Sequence, residues 1–174
     1  IPPRAVRSVL NAKRFHSELF GWQSDEQVTF LLRDVADSGN AAAGPVPRNI
    51  VMAEVSPPDK TFESYLPLDQ LFALMNHEVA HLATNDAHGA AEQFWRRLFL
   101  GKPAQTSAHP ETLAYAYLTT PRATSPRWAS EGIATFMETW MAGGIGRAQG
   151  GFDEMVFRAM VRDGAPFYSN LGVA

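Results

Sequence analysis

The stretch LFALMNHEVAHLA, residues 71–83, constrains this chain more than any other. Leu71, Leu74, Met75, Val79 and Leu82 recur at intervals of three and four, the spacing of a helix face turned into a core. The pattern begins near Leu68. The positions between are also largely apolar, so the helix is predicted to be buried. Yet the same turns carry His77, Glu78 and His81. Burying such groups without partners is costly. Something must compensate them, and a bound metal would do so.

The chain of 174 residues suffices for one domain with a real core. Residues 4–20 read as a helix with Val6, Val9 and Leu10 near one face. Residues 27–35 and 49–55 read as strands, and the turn-rich segment between them suggests a hairpin with a long connection. Helical runs follow at 90–100 and 109–118. Another spans 124–141, with Ser125 as cap and Pro126 at the first helical position. Residues 143–151 form a glycine-rich loop, and a last helix at 152–164 ends on Gly164. The expected fold class is α+β, mostly helical after residue 67.

Charge and composition exclude several functions. The net charge is −3, with both signs scattered, and no clustered basic face marks a nucleic-acid partner. Arg96-Arg97 and Arg4/Arg7 read as solvated helix faces. The absence of cysteine removes disulfides, zinc–thiolate sites and cysteine nucleophiles. No apolar run reaches the roughly 20 residues of a membrane span. The chain starts at Ile1 and reads as a piece of a longer protein, so the compartment stays open, with a bacterial periplasmic or extracellular setting one option.

On a helix, His77 and His81 lie one turn apart on one face, with Cβ atoms about 6 Å apart. That suits two imidazoles converging on a small cation. Zinc takes nitrogen ligands at about 2.0–2.1 Å and favours four in a tetrahedron. Glu78 is turned by about 100° from His77. It therefore stands beside the cation, where it would take a proton from an activated water, the role the H-E-x-x-H pattern assigns it. The pattern alone also fits an ordinary helix with solvated or core histidines. The metal reading therefore turns on a third ligand.

His88, with Asp86 nearby, is one candidate for that ligand. In the metzincin pattern the glycine and third ligand would fall on Thr84 and Ala87, so His88 and Asp86 each miss by one. His109, before Pro110, is a second candidate without a motif. The segment RWASEGIATFMETW, residues 127–140, contains a third: a glutamate followed by glycine, an apolar residue and alanine, shortly after a tryptophan. Here the chain resembles the gluzincins, the metallopeptidase group that includes thermolysin and the zinc aminopeptidases, over roughly residues 49–142.

That resemblance implies that His77, His81 and Glu131 hold Zn2+ and that Glu78 is the catalytic base acting on a peptide or protein substrate. It implies a small N-terminal sheet packed on a zincin-like helical core. It also implies that strand 49–55 runs beside the cleft and aligns an extended peptide by main-chain bonds. Two departures stand out. Forty-nine residues lie between His81 and Glu131, more than in the thermolysin and aminopeptidase patterns, which implies a helical insertion at about 82–125. The family supplies an oxyanion donor downstream of the glutamate, and the only tyrosine there is Tyr168. Tyr168 is thus the second catalytic candidate, and an ordinary packing tyrosine is the alternative.

Metal-bound histidines are oriented through their other ring nitrogen. Thr135, Glu138 and Asn76 are the candidates for that task. Glu54 faintly resembles the aminopeptidase glutamate that binds a free amino terminus, but its flanking residues do not match that motif. The segment ETWMAGGIGRAQGG, residues 138–151, resembles large bacterial proteins in which such a domain adjoins a repeat or propeller region, which implies further domains of the same polypeptide. Besides the peptidase, the sequence admits a zinc-binding interaction module with little or no activity and a metal-free helical interaction domain.

Overall fold

The structure, a computed structural model, describes residues 3–37, 39–56, 70–144 and 146–164. Helix α1 (Pro3–Phe20) leads into strands β1 (Thr29–Arg33), β2 (Ala41–Gly44) and β3 (Ile50–Glu54). Helices α2 (Gln70–Asn85), α3 (Ala90–Leu98), α4 (Glu111–Thr119), α5 (Arg127–Met141) and α6 (Gly151–Arg162) follow. Short 3-10 turns at Pro121–Thr124 and Arg147–Gln149 flank α5. The fold is mixed α+β. No described helix is long and apolar enough to cross a membrane.

The sheet differs from the expected hairpin. Its strand order is β1-β3-β2, with β1 parallel to β3 and β2 antiparallel to it. The turn-rich segment thus contains a strand of its own, Ala41–Gly44, and the tight return through residues 45–49 makes β2 and β3 the true hairpin. Alanine and glycine have little strand preference. What puts them there is pairing to β3 and packing on α2, which the local sequence does not advertise. Strand 49–55 is therefore the central strand, with both edges occupied.

Helix α2 is buried on every side, as its composition requires. Met75, Val79, Leu82 and Ala83 join Trp22, Val51, Ala53 and Ala12 in the main core, against α1 and the sheet. Ala80 meets Ala134 and Met137 of α5 in a second cluster. Helix α1 packs through Ala5, Ser8, Ala12 and His16, while Val6 and Leu10 face outward. The small side chains let α1 lie close against α2, so proximity rather than bulk sets the buried stripe. His16 is fully enclosed there. Burial, opposed by the backbone of Asn76, pushes its pKa down to about 4, so it stays neutral.

At the end of α2 lies a buried polar hub. The Asp86 carboxylate accepts hydrogen bonds from Trp22 Nε1 (2.9 Å), Asn49 Nδ2 (2.7 Å) and Lys102 Nζ (2.9 Å). Arg96 Nη2 lies 3.0 Å from the same carboxylate, and Arg96 Nε donates to the Thr119 carbonyl. Arg96 is thus a core residue rather than a solvated one, whereas Arg4, Arg7 and Arg97 are exposed. The hub joins the segment after α1, the start of β3, the end of α2, and α3 and α4. Helices α3 and α4 are fastened by it to the C-terminal end of α2.

Burial alone would raise the Asp86 pKa, but Lys102 and the hydrogen bonds from Trp22, Asn49 and Lys102 hold it below the ordinary carboxylate value. Its stabilisation is therefore complete above the unfolded value of about 3.9 and is lost as pH falls through the lower folded value. Asp86→Ala, which leaves Lys102 with Glu26 and Arg96 with Asp25 as their remaining, less buried counter-charges, is expected to cost about 3 kcal/mol in denaturant unfolding at pH 7. Asp86→Asn should flatten the acid limb of the stability curve below pH 4. A cost under 1 kcal/mol for the alanine variant would contradict this account.

Candidate metal centre

Helices α2 and α5 approach through Ala80 and Ala134, both fully buried, and so bring two sets of polar side chains together. His77 and His81, one turn apart, contribute from α2. On α5, Glu131 and Glu138 stand two turns apart on the same face, beside Ser130. His77 Nε2 lies 3.1 Å from His81 Nε2 and 3.2 Å from Glu131 Oε2, and His81 Nε2 lies 3.5 Å from Glu131 Oε2. Among the described residues these three form the group able to hold a metal ion.

The geometry fits zinc. Donor atoms held at about 2.0–2.1 Å on the corners of a tetrahedron stand about 3.3 Å from one another. The three separations here, 3.1, 3.2 and 3.5 Å, bracket that edge length. Two imidazoles and a carboxylate are also a donor set that zinc accepts in sites with one open position. The opposite ring nitrogens are engaged elsewhere, leaving both Nε2 atoms to face the centre. His77 Nδ1 is 3.0 Å from Glu138 Oε2, and His81 Nδ1 is 2.9 Å from Ser130 Oγ. The ionised Glu138 can only accept, so His77 carries its proton on Nδ1 and directs the Nε2 lone pair inward.

Of the three sequence candidates for orienting the histidines, Glu138 occupies that position. Asn76 donates instead to the Phe72 carbonyl, and Thr135 offers its carbonyl to Thr139. Ser130 escaped the sequence reading although it directly precedes Glu131. Arg147 escaped it too. Its Nε donates to Glu138 Oε1 and its Nη2 to Glu138 Oε2, each at 2.7 Å. Nothing in the glycine-rich run around Arg147 marks it, because the pairing exists only once that run folds back on α5.

The rival third ligands are occupied. Both oxygens of Asp86 serve the hub, and His88 Nε2 pairs with Asp25 while its Nδ1 accepts from Arg96. His109 is exposed beside Glu111. Glu54 is paired with Arg33, its register partner across β1 and β3. Tyr168 lies outside the described residues. At the start of α5, Pro126 is the extended residue before the helix rather than its first turn, and Ser125 makes no cap. The glycine of the E-G-I-A run, Gly132, is exposed, and a Cβ there would meet nothing. The structure therefore gives no steric reason for it.

Burial presses on every charge at this centre. It lowers His77, but the Glu138 hydrogen bond and the charges of Glu78 and Glu138 outweigh it, with Arg147 opposing, and the net pKa is above normal. His81 is held below its usual value by burial and by the charge of His77. Burial would raise Glu138, yet its bonds to Arg147 and His77 bring it below the ordinary range. Glu78 is pushed up to about 7, mainly by burial, with His77 opposing and Glu131 adding to the rise. Glu78 Oε2 is buried with no hydrogen-bond partner among the described residues.

Known protein families, curated proteins and solved structures give no match to this chain.

In metal-free protein, Glu78 should weaken the fold. Its pKa is raised from 4.5 to about 7, so folding favours the protonated acid. The native state thus loses stability as pH climbs from about 4.5 through 7, by up to about 3 kcal/mol. Glu78→Gln removes that loss. The variant is expected to exceed the parent in denaturant unfolding at pH 8 and to match it near pH 4.5. Equal stability at pH 8 would show that Glu78 is not held as a strained buried carboxylate.

Proposed function

We propose that this chain is a zinc-dependent metallopeptidase of gluzincin type, which hydrolyses peptide bonds with Glu78 as general base. The observation that carries the reading is the meeting of His77, His81 and Glu131 at tetrahedral spacing, with Glu78 next to His77 and its Oε2 without a partner among the described residues. The two halves of that group come from segments about fifty residues apart. A polar stretch on an ordinary helix has no reason to find such a partner.

When bound, zinc supplies the Lewis acid that polarises the scissile carbonyl and acidifies a water. His77 and His81 would hold it through Nε2 and Glu131 through a carboxylate oxygen. Glu138 and Ser130 keep the two rings turned toward it by engaging Nδ1. Glu78 accepts a proton from the attacking water and returns it to the leaving amine. A carboxyl group poised near pH 7 both takes and gives a proton at neutral pH, which suits that double task. The low-dielectric surroundings that raise its pKa also strengthen its pull on a nearby proton.

A peptide would lie against the free edge of β2 rather than against β3. β3 is flanked on both sides, whereas β2 packs on α2 and has an unpaired edge among the described strands. Main-chain bonds along an edge strand align an extended peptide irrespective of its side chains.

Metal analysis and peptide-cleavage assays test the reading together. The purified chain should hold one zinc, Glu131→Ala should lose it, and His88→Ala should keep it. Glu78→Gln should retain zinc while cleavage falls by about 10²–10⁴-fold. Stoichiometric zinc without cleavage of any peptide library would favour the interaction module instead. No zinc after reconstitution would end the metal reading altogether.

A further inference from the structure

The glycine-rich segment after α5 reads as a connector, yet it delivers a guanidinium to the back of the candidate metal centre. Its anchor is Thr139, a buried residue next to Glu138. Gly144 N donates to the Thr139 carbonyl at 3.0 Å, and Ala148 N donates to Thr139 Oγ1 at 3.1 Å. Gly146 lies so close that a Cβ built there would stand 2.7 Å from Thr139 Cα, nearer than real Cβ atoms come. A side chain at position 146 would therefore push the following turn away from α5.

That close approach places Arg147. Its Nε and Nη2 donate side by side to the two oxygens of Glu138, each at 2.7 Å. One donor would leave the carboxylate free to swing about the other bond. Two parallel donors fix its plane. Glu138 Oε2 is then held where His77 Nδ1 reaches it at 3.0 Å. Arg147 Nη2 also lies 3.2 Å from His77 Nδ1 itself, on the side of the ring away from the Nε2 atom that faces His81 and Glu131, so it acts on the ligand from behind.

We propose that Arg147 is a positioning residue of the metal site: its two-pronged bond to Glu138 fixes the orientation of the His77 ring, and the glycine turn at Gly146 exists to bring it there. The inference rests on the zinc reading above. It assigns the function to fork geometry rather than charge. A lysine keeps the charge but offers a single ammonium point and no planar fork.

The test is zinc affinity, measured by chelator competition at fixed pH, with Co2+ absorption as a second readout of ligand geometry. Arg147→Met and Arg147→Lys should each weaken zinc binding by about tenfold to a hundredfold, the usual range for a partner behind a metal-bound histidine. Both should alter the visible Co2+ bands. Gly146→Ala, which leaves every charge in place, should show a similar loss. Combined with Arg147→Met it should add no more than about twofold, because both changes withdraw the same guanidinium from Glu138 and His77. Arg158→Met, on the exposed face of α6, should leave affinity unchanged.

Wild-type affinity and unchanged Co2+ bands in a folded Arg147→Met or Arg147→Lys protein would overturn the proposal, even if the metal-free melting temperature fell. Rescue by lysine would overturn it too, since charge alone would then suffice. If the methionine variant does not fold, the lysine and Gly146→Ala variants decide the matter. A parent protein that binds no zinc defeats the function reading and this proposal together, whereas a zinc-binding parent with unaffected variants defeats this proposal alone.

Discussion

Helix α2 is buried on all sides, and its buried surface includes Asn76, His77, Glu78, His81 and, just past its end, Asp86. Low-dielectric surroundings make each of these groups expensive unless it is answered. Much of the surrounding structure is arranged to answer them. α5 meets the histidines with Ser130, Glu131 and Glu138. The segment after α1, the start of β3, Arg96 of α3 and Lys102 meet Asp86. Left without a partner among the described residues of this helix are Asn76 Oδ1 and Glu78 Oε2.

The two polar regions of α2 have different physical characters. Around Asp86, donors match the carboxylate oxygens, and Lys102 and Arg96 are shared between Asp86 and the carboxylates of Glu26 and Asp25. It behaves as a structural knot, ordering α3 and α4 at one end of the helix. Around His77 and His81, several groups that prefer to accept a proton or a cation are pushed together. With Asp86 and His88 engaged around the knot, the side chain that meets the histidine pair is Glu131 of α5.

Sequence patterns located the helices well because helical periodicity is local. They failed where packing overrode local preference. The alanines of β2 looked like loop because nothing intrinsic makes them a strand, and only pairing with β3 does. The buried stripe of α1 was misjudged for a related reason. Ala5, Ser8 and Ala12 carry little apolar bulk, and their value lies in letting α1 sit close to α2. Arg96 looked solvated because its counter-charge, Asp86, is ten residues away across a helix break. Arg147 was invisible for the same reason, its partner being reached only after a glycine turn folds back.

By itself the sequence determined that one helix would be buried, that it would carry two histidines and a glutamate at ligand spacing, and that a second helix would carry the E-G-I-A glutamate. Those properties follow from residue type and helical period, which operate within a few turns of chain. Tertiary structure alone decided that Glu131, rather than His88 or Asp86, meets the histidines. It also decided that Ser130 and Glu138 turn their rings, that Arg147 grips Glu138, and that β2 rather than β3 offers a free edge. Each of those outcomes depends on distances between segments far apart in sequence, and such distances are set by how closely small residues such as Ala80, Ala134 and Gly146 allow their elements to approach.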